Sequence, residues 1–476
     1  MKRLLFPIFS VILLWSIHFG QTMSEPIIIS NSPATASKWG QVAFGPDGKV
    51  HIVWEEDHST SRGSDIYYVC YDGINLEGPV NLSNSRLIIS WRPYVCTNQA
   101  GGVFVVWDEE GKCYFTEYDP QEKEWSSPFR VSTADFGGDE PYVAADPDGN
   151  VYTTWFKDKG GKCYSRSRIN GEWEDIFRLS PQNRRSTQVG IAAGNDGQVW
   201  VIWREKMPYR EYKIHYRKRT KNTDWSETKI MNEGGASQAH PHITVGPDNV
   251  PVVTFADIEG GPPADILICT IDEKENPREG VVPLALQHFS RIAIDNNLNK
   301  HLAWQIGSGD NGRGIKYRNN IGGQWNPIEL MKNSGGGPQL PGISADSGGN
   351  VVVVWSSSSP GRDKEIWLSS LYPILVLNPP INLYMNITVD NLKGAPEIVY
   401  DLSWEPNPEN EASKVKGYNI YKKENEGNWE LLLSVNKSTH SASFTFTNPE
   451  NRIQLGIKTV SVYDTEGPIA VFGIEE

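Results

Sequence analysis

The chain is poor in sulfur, with 5 Cys and 6 Met among 476 residues. So low and odd a cysteine count excludes a scaffold built on disulfides. Long apolar runs are scarce as well, and only Leu4 to Phe19 is apolar enough to enter a membrane. Basic residues are outnumbered, 45 Lys and Arg against 58 Asp and Glu, which leaves a formal charge of −13. A chain of that sign repels phosphate backbones, so nucleic acid and anionic membrane surfaces are excluded as partners. Chemical motifs are missing too. There is no HExxH, no CxxC, no GxSxG elbow and no phosphate-binding glycine loop. The sequence therefore predicts no cofactor, no metal site and no assigned catalytic residue.

What the chain does have is 44 Gly, 31 Pro, 17 Trp and 19 Tyr, spread among short apolar runs. That composition points to all-β structure rather than helix bundles. At the N-terminus, Lys2-Arg3 precede an apolar stretch containing Ile12 and Trp15, followed by Thr22-Met23-Ser24. A basic tip, an apolar stretch and small polar residues form a secretory signal pattern. The stretch is short for a membrane span and is interrupted by Pro7 and His18. A signal peptide over residues 1–24 is expected, cut between Gly20 and Ser24. The mature protein would then be secreted, periplasmic or at the cell surface, without membrane insertion.

One unit recurs at intervals of roughly fifty residues, a period typical of stacked repeats. It is a short apolar strand, a Gly/Asp/Asn turn and a β-branched strand ending in an aromatic. These strands end at Trp54, Trp107, Trp155, Trp203, Phe255, Trp304 and Trp355. A third strand follows each anchor, as in Lys112–Asp119 or Lys213–Arg219, and several units add a turn, a Trp and a fourth strand. Four strands in each unit make one blade of a β-propeller, and seven anchors predict seven blades. Pro26-Ile27-Ile28-Ile29-Ser30 looks like a fourth strand with no blade of its own. It is predicted to close the last blade, giving a propeller over residues 25–377.

The turns Asp47-Gly48, Asp146 to Asn150, Asp196-Gly197 and Asp346 to Asn350 lack the spaced carboxylates of a calcium loop. They are read as hairpin turns. The anchor tryptophans are read as packing between blades, and Cys113 and Cys163 as small buried residues in matching register.

Beyond residue 377 the period disappears. Strands such as Tyr400–Trp404, Lys416–Tyr421 and Trp429–Leu433 predict a small β-sandwich over residues 378–476. This segment resembles a fibronectin type III domain in its LSWEPNPE strand with Trp404 and its GYNIYKK strand with Tyr418 and Tyr421. It departs from that family at Gln454–Ile457, where a corner tyrosine is usual. The resemblance implies a spacer or docking module.

The repeat itself resembles the bacterial neuraminidase-repeat propeller, the architecture of sialidases and many non-enzymatic relatives. The turns before the fourth strand read Asn170-Gly171-Glu172-Trp173, Gly322-Gly323-Gln324-Trp325 and Asn222-Thr223-Asp224-Trp225. They keep Gly and Trp in places but not the Ser and Asp of that family's turn motif, and no Arg-Ile-Pro stands near the N-terminus. The resemblance implies the fold, a bacterial setting and, as the alternative function, an exo-sialidase-like glycoside hydrolase.

In a propeller, residues before the first strand and after the anchor share one mouth of the central channel. Trp39, Trp91, Arg92, Glu140, Arg185, His240 and Arg291 stand before first strands, with acids such as Glu55, Glu56, Asp108 and Glu109 after the anchors. Aromatic platforms with bidentate donors suit a sugar or a peptide carboxylate. The expected function is non-catalytic binding of a glycan or extracellular protein at this mouth by a monomer. For the hydrolase alternative, Arg92, Arg185 and Arg291 would clamp a carboxylate, and Glu140 or Asp139 would act as acid or base. No Tyr–Glu nucleophile pair can be assigned.

Overall fold

A computed structural model describes residues 22–473 except 33, 59–62, 86–87, 158–159, 209–210, 232–236, 259–263, 272–277, 286, 308–313, 335–336, 338, 347, 360, 373–376, 391–396, 411, 426, 428, 447–451, 463–465 and 468. The expected signal peptide lies outside the described residues as far as residue 21. Among the described residues there is no helix, and the strands form nine antiparallel sheets.

Seven of these sheets follow one pattern, in which consecutive strands pair. The first sheet holds Ser37–Phe44, Val50–Asp57, Ser64–Tyr71 and Leu76–Asn81, in that order. In the second and third sheets the outer strand is broken in two, as Glu124–Trp125 with Phe129–Arg130 and Glu172–Trp173 with Phe177–Arg178. The turns between first and second strands are tied by their own aspartates. Asp146 accepts from the Asn150 amide at 2.9 Å and from its side chain at 2.9 Å, and Asp346 repeats both bonds at 2.8 and 2.7 Å. Their carboxylates are engaged by turn donors, as in Asx turns.

Each first strand packs against the first strand of the next sheet, and that of the seventh, Gln339–Ala345, returns to Ser37–Phe44 of the first. Gly342 permits this last approach: a Cβ there would lie 3.1 Å from Gln41 Cα and 2.9 Å from a Val354 methyl. The outer strand of the seventh sheet comes from the other end of the chain. Ile27 pairs with Leu368 and Ile28 with Trp367. The pairing begins earlier still, where Ser24 N donates to Ser370 O at 2.8 Å. Met23, 7% exposed, packs in a cluster with Met331, Trp367 and Leu371.

Seven apolar clusters lie between neighbouring sheets, one for each junction. Val42, Ile52 and Trp54 meet Val352, Val354 and Ile366 where the first sheet joins the seventh. The second strands are covered on both faces, which is why VFVVW and VVVVW are continuous apolar runs. All six anchor tryptophans and Phe255 are at most 1% exposed.

Arginines on third strands link neighbouring sheets further out. Arg166 donates to Glu174 O at 2.7 Å within its own sheet and to Val131 O at 3.1 Å in the sheet before. Arg217 does the same with Ser226 O at 2.7 Å and Leu179 O at 3.1 Å. Arg318 repeats it with Asn326 O and Val281 O.

The segment after residue 377 forms the other two sheets. One orders Ile381–Asp390, Glu397–Glu405 and Ser441–Phe446; the other orders Glu430–Asn436, Val415–Glu424, Ile453–Ser461 and Ala470–Val471. They enclose a separate core in which Trp404 and Tyr418 meet edge to face, ring centroids 5.7 Å apart.

Trp203→Ala removes a fully buried indole from the junction of the third and fourth sheets. We expect a loss of about 3–5 kcal/mol, read as a lower urea midpoint.

Candidate functional site

The first and second strands of all seven sheets share an irregularity. Pairing slips between Lys38 and Gln41, and likewise between Trp91 and Tyr94, Asp139 and Tyr142, Thr187 and Gly190, Ala239 and His242, His288 and Arg291, and Gln339 and Gly342. Each slip is a β-bulge, an extra residue that re-aims a side chain. At six of them the bulged residue has a left-handed backbone: Trp39 (φ 55°), Arg92 (51°), Glu140 (45°), Gln188 (53°), His240 (52°) and Phe289 (54°). For a residue with a Cβ this conformation costs about 1–2 kcal/mol, so its recurrence is imposed by the sheet pattern. Leu340 holds the matching place in the seventh sheet. Prolines 93, 141, 241 and 341 follow four of these residues. Proline has no amide to give a ladder, and a bulge tolerates it.

The seven bulged residues line one cavity of about 220 Å3. Gln41, Tyr94, Tyr142 and Arg291, each two residues beyond a bulge, complete its wall. Trp39, Phe289 and Leu340 make the apolar part. The Arg92 guanidinium lies 5.1 Å from the Trp39 ring centroid and 4.4 Å from that of Trp91, and it donates to Glu140. Gln188 accepts from the His240 amide at 3.0 Å, and the His240 ring meets the Phe289 ring edge to face at 4.2 Å.

Side chains from opposite sheets meet below this ring. Tyr94 Oη lies 3.4 Å from His242 Nε2, joining the second sheet to the fifth. Arg291 Nη2 donates to Tyr142 Oη at 3.4 Å, joining the sixth to the third. The two tyrosine rings lean on each other with centroids 4.5 Å apart. Ile292 N donates to His242 Nδ1 at 3.3 Å, which leaves Nε2 to carry the proton of the neutral ring. Burial and the Arg291 charge push the His242 pKa well below its ordinary value, while burial raises the Tyr94 and Tyr142 hydroxyls. These three side chains are neutral near pH 7.

Of the seven residues singled out in the sequence, Trp39, Arg92, Glu140, His240 and Arg291 line the cavity. Trp91 stands one residue too early and stacks behind Arg92. Arg185 lies outside the strand; its carbonyl accepts from Lys206 N at 2.8 Å and its side chain packs over Gly161. In that sheet the cavity residue is Gln188, and in the sixth and seventh sheets Phe289 and Leu340 join it. The sequence holds a usable signal for all three. Each bulged residue precedes its anchor by a constant interval: 39 and 54, 92 and 107, 140 and 155, 188 and 203, 240 and 255, 289 and 304, 340 and 355.

Acids that the sequence assigned to the mouth serve the anchors instead. Glu56 accepts from Trp54 Nε1 at 2.8 Å and Ser37 Oγ at 2.7 Å. Glu109 accepts from Trp107 Nε1 at 3.3 Å, and Glu205 from Trp203 Nε1 at 3.0 Å. A buried indole N–H usually finds an acceptor, and in these three sheets the residue two places further along supplies it. Glu55 and Asp108, one place beyond their anchors, are 5% and 0% exposed. Burial pushes each of them up to about 7.

No protein-family model matches the chain, and no curated protein sequence does. Solved structures do align with it. A lectin from Burkholderia pseudomallei aligns at 16% identity and a TM-score of 0.47, over 74% of this chain and all (100%) of the lectin. A protein of unknown function from Dyadobacter fermentans aligns at 10% identity and a TM-score of 0.45, over 73% of this chain and 98% of that one. An α-L-arabinanase from Penicillium chrysogenum, solved with arabinobiose, aligns at 10% identity and a TM-score of 0.43, over 75% of this chain and all (100%) of the enzyme.

A carboxyl raised in the native state favours folding while protonated, and the advantage is lost as pH rises through the native pKa. For Asp108 that loss runs from its unfolded value near about 4 up to about 7. Asp108→Asn is therefore expected to be more stable than wild type at alkaline pH. It should also lose less stability than wild type across that interval, measured as the urea midpoint at a series of pH values.

Proposed function

We propose that the protein is an exported, non-catalytic β-propeller of seven blades that binds the terminal unit of a glycan in the cavity ringed by its bulged residues. The observation that carries this reading is the ring itself. Seven equivalent positions share one backbone role yet hold Trp39, Arg92, Glu140, Gln188, His240, Phe289 and Leu340, a set that differs in size, charge and polarity. A purely structural position in a repeat keeps its residue type, as the anchors do. Positions that vary around a common cavity are free to be matched to a ligand. Trp39 and Phe289 offer apolar faces of the kind that stack on a sugar ring, and Gln188, His240 and the Arg92–Glu140 pair offer polar groups at its edge. A cavity of about 220 Å3 suits one sugar ring better than a peptide segment.

In this reading the seven sheets are blades, Ile27–Ile28 closes the last of them, and the two-sheet module after residue 377 is a fibronectin type III-like spacer. Because Met23 packs in the seventh blade's core, the signal peptide would be cut ahead of it. The hydrolase alternative finds less support. Its three arginines do not share the cavity, Arg92 is engaged by Glu140, and the tyrosine hydroxyls in the wall meet His242 and Arg291 among the described residues.

A glycan array probed with wild type and Trp39→Ala tests this reading. Binding by wild type, reduced at least about tenfold in the variant, is the expected result. Equal binding by both proteins would place the ligand elsewhere.

A further inference from the structure

The ring of bulged residues is sorted by polarity rather than mixed. Arg92, Glu140, Gln188 and His240 come from the second to the fifth sheets, and Phe289, Leu340 and Trp39 from the sixth, seventh and first. The first strands of those last three sheets pack side by side, so the apolar residues form one unbroken arc. The seventh sheet is its barest point. It gives the cavity wall Leu340 alone, whereas every other sheet gives at least two residues. Leu340 is 8% exposed. The next residue, Pro341, has no N–H to donate. Two residues inward of the bulge, where five other sheets hold Gln41, Tyr94, Tyr142, His242 and Arg291, the seventh has Gly342. Of the groups a step further in on the neighbouring sheets, Gln41 and Arg291, the arginine donates to Tyr142 Oη of the third sheet at 3.4 Å. A ligand hydroxyl lying on Leu340 therefore gives up water for carbon, which costs it hydrogen bonds. A flat face cannot touch three residues set around an arc, but a small projecting group can.

Resting on the reading of the cavity as a glycan site, we infer that the bound sugar is a 6-deoxyhexose whose methyl lies on Leu340, between Trp39 and Phe289. In an ordinary hexopyranose each ring carbon bears a hydroxyl or a hydroxymethyl, so every exocyclic group brings an oxygen to the arc. Exchange of the hydroxymethyl for methyl makes one projecting group of carbon alone. The ring hydroxyls then turn to the polar side, where Arg92, Glu140, Gln188 and His240 supply donors and acceptors. An apolar seat distinguishes a methyl from its hydroxylated counterpart by about tenfold to a hundredfold.

The test compares dissociation constants of the full chain for L-fucose against L-galactose, L-rhamnose against L-mannose, and D-fucose against D-galactose. Within each pair the sugars differ only in methyl against hydroxymethyl. Wild type should bind the 6-deoxy member of at least one pair about tenfold or more tighter than its counterpart. Leu340→Asn gives the hydroxyl a partner and should bring that preference below about threefold. Leu340→Ala, which leaves the methyl poorly packed, should weaken the 6-deoxy sugar and leave the hydroxymethyl sugar within about twofold of wild type. The melting temperature of each variant, taken alongside, shows whether it is folded, and one folded variant suffices. Equal binding within every pair by wild type would overturn the inference, as would a preference unchanged in the folded variants or a failure of all six sugars to bind. The cavity reading is judged apart from it: the array comparison of wild type with Trp39→Ala stands whichever sugar is preferred.

Discussion

The structure rests on one buried aromatic ring per sheet, an indole in six of the seven and Phe255 in the fifth, packed between two neighbours. A four-stranded sheet of this kind has apolar residues on both faces and can cover neither alone. The tryptophan at the end of the second strand projects into the cluster shared with the preceding sheet, and its N–H is withdrawn from water there. Glu56, Glu109 and Glu205 meet that need from two residues further along the same strand. Those carboxylates are in turn fixed by donors nearby, Ser37 on Glu56, Ser90 on Glu109 and Arg184 on Glu205. Apolar burial and polar satisfaction are thereby met at the same point of the first, second and fourth sheets, and in the third Trp155 donates instead to Phe136 O at 3.1 Å. The arginines bridging third strands add a second tie farther from the centre.

That anchoring has a consequence for the cavity. With the second strand held at its end, the first strand must absorb an extra residue opposite the anchor, and the bulge appears at the same place in every sheet. The left-handed backbone turns the bulged side chain inward. The repeat therefore dictates where seven side chains go without dictating what they are. Two residues further in, Tyr94, Tyr142, His242 and Arg291 reach across from opposite sheets and give the cavity its inner wall. Uniform scaffold and varied lining follow from the same bulge.

Much of this was legible in the chain. The anchors, the strand order and the orphan segment Pro26 to Ser30 all show as pattern, because each reflects local geometry repeated at a fixed interval. Trp39, Arg92, Glu140, His240 and Arg291 were found because they stand near the start of a first strand. Trp91 was misplaced because a slip of one residue in a strand reverses the face a side chain points to, and the bulge supplies such a slip; Arg185 was misplaced because it precedes the strand Ser186–Ala193 and stands three residues ahead of the bulged Gln188. Gln188, Phe289 and Leu340 were missed because nothing in their own chemistry singles them out. Glu56 and Glu109 were misread because an acid beside an arginine-rich mouth looks like a rim charge until the indole it holds is seen.

The sequence by itself determined the spacing of the repeating units and the aromatic that each unit would bury. Those features depend on periodicity and apolar content, which are properties of neighbours along the chain. Only the tertiary structure decided which side chains face one another across the cavity. Tyr94 meets His242 and Arg291 meets Tyr142 across intervals of 148 and 149 residues. No local rule spans such a distance. The apolar arc of Phe289, Leu340 and Trp39 is likewise invisible in the chain, since Trp39 joins the other two only when the first sheet meets the seventh.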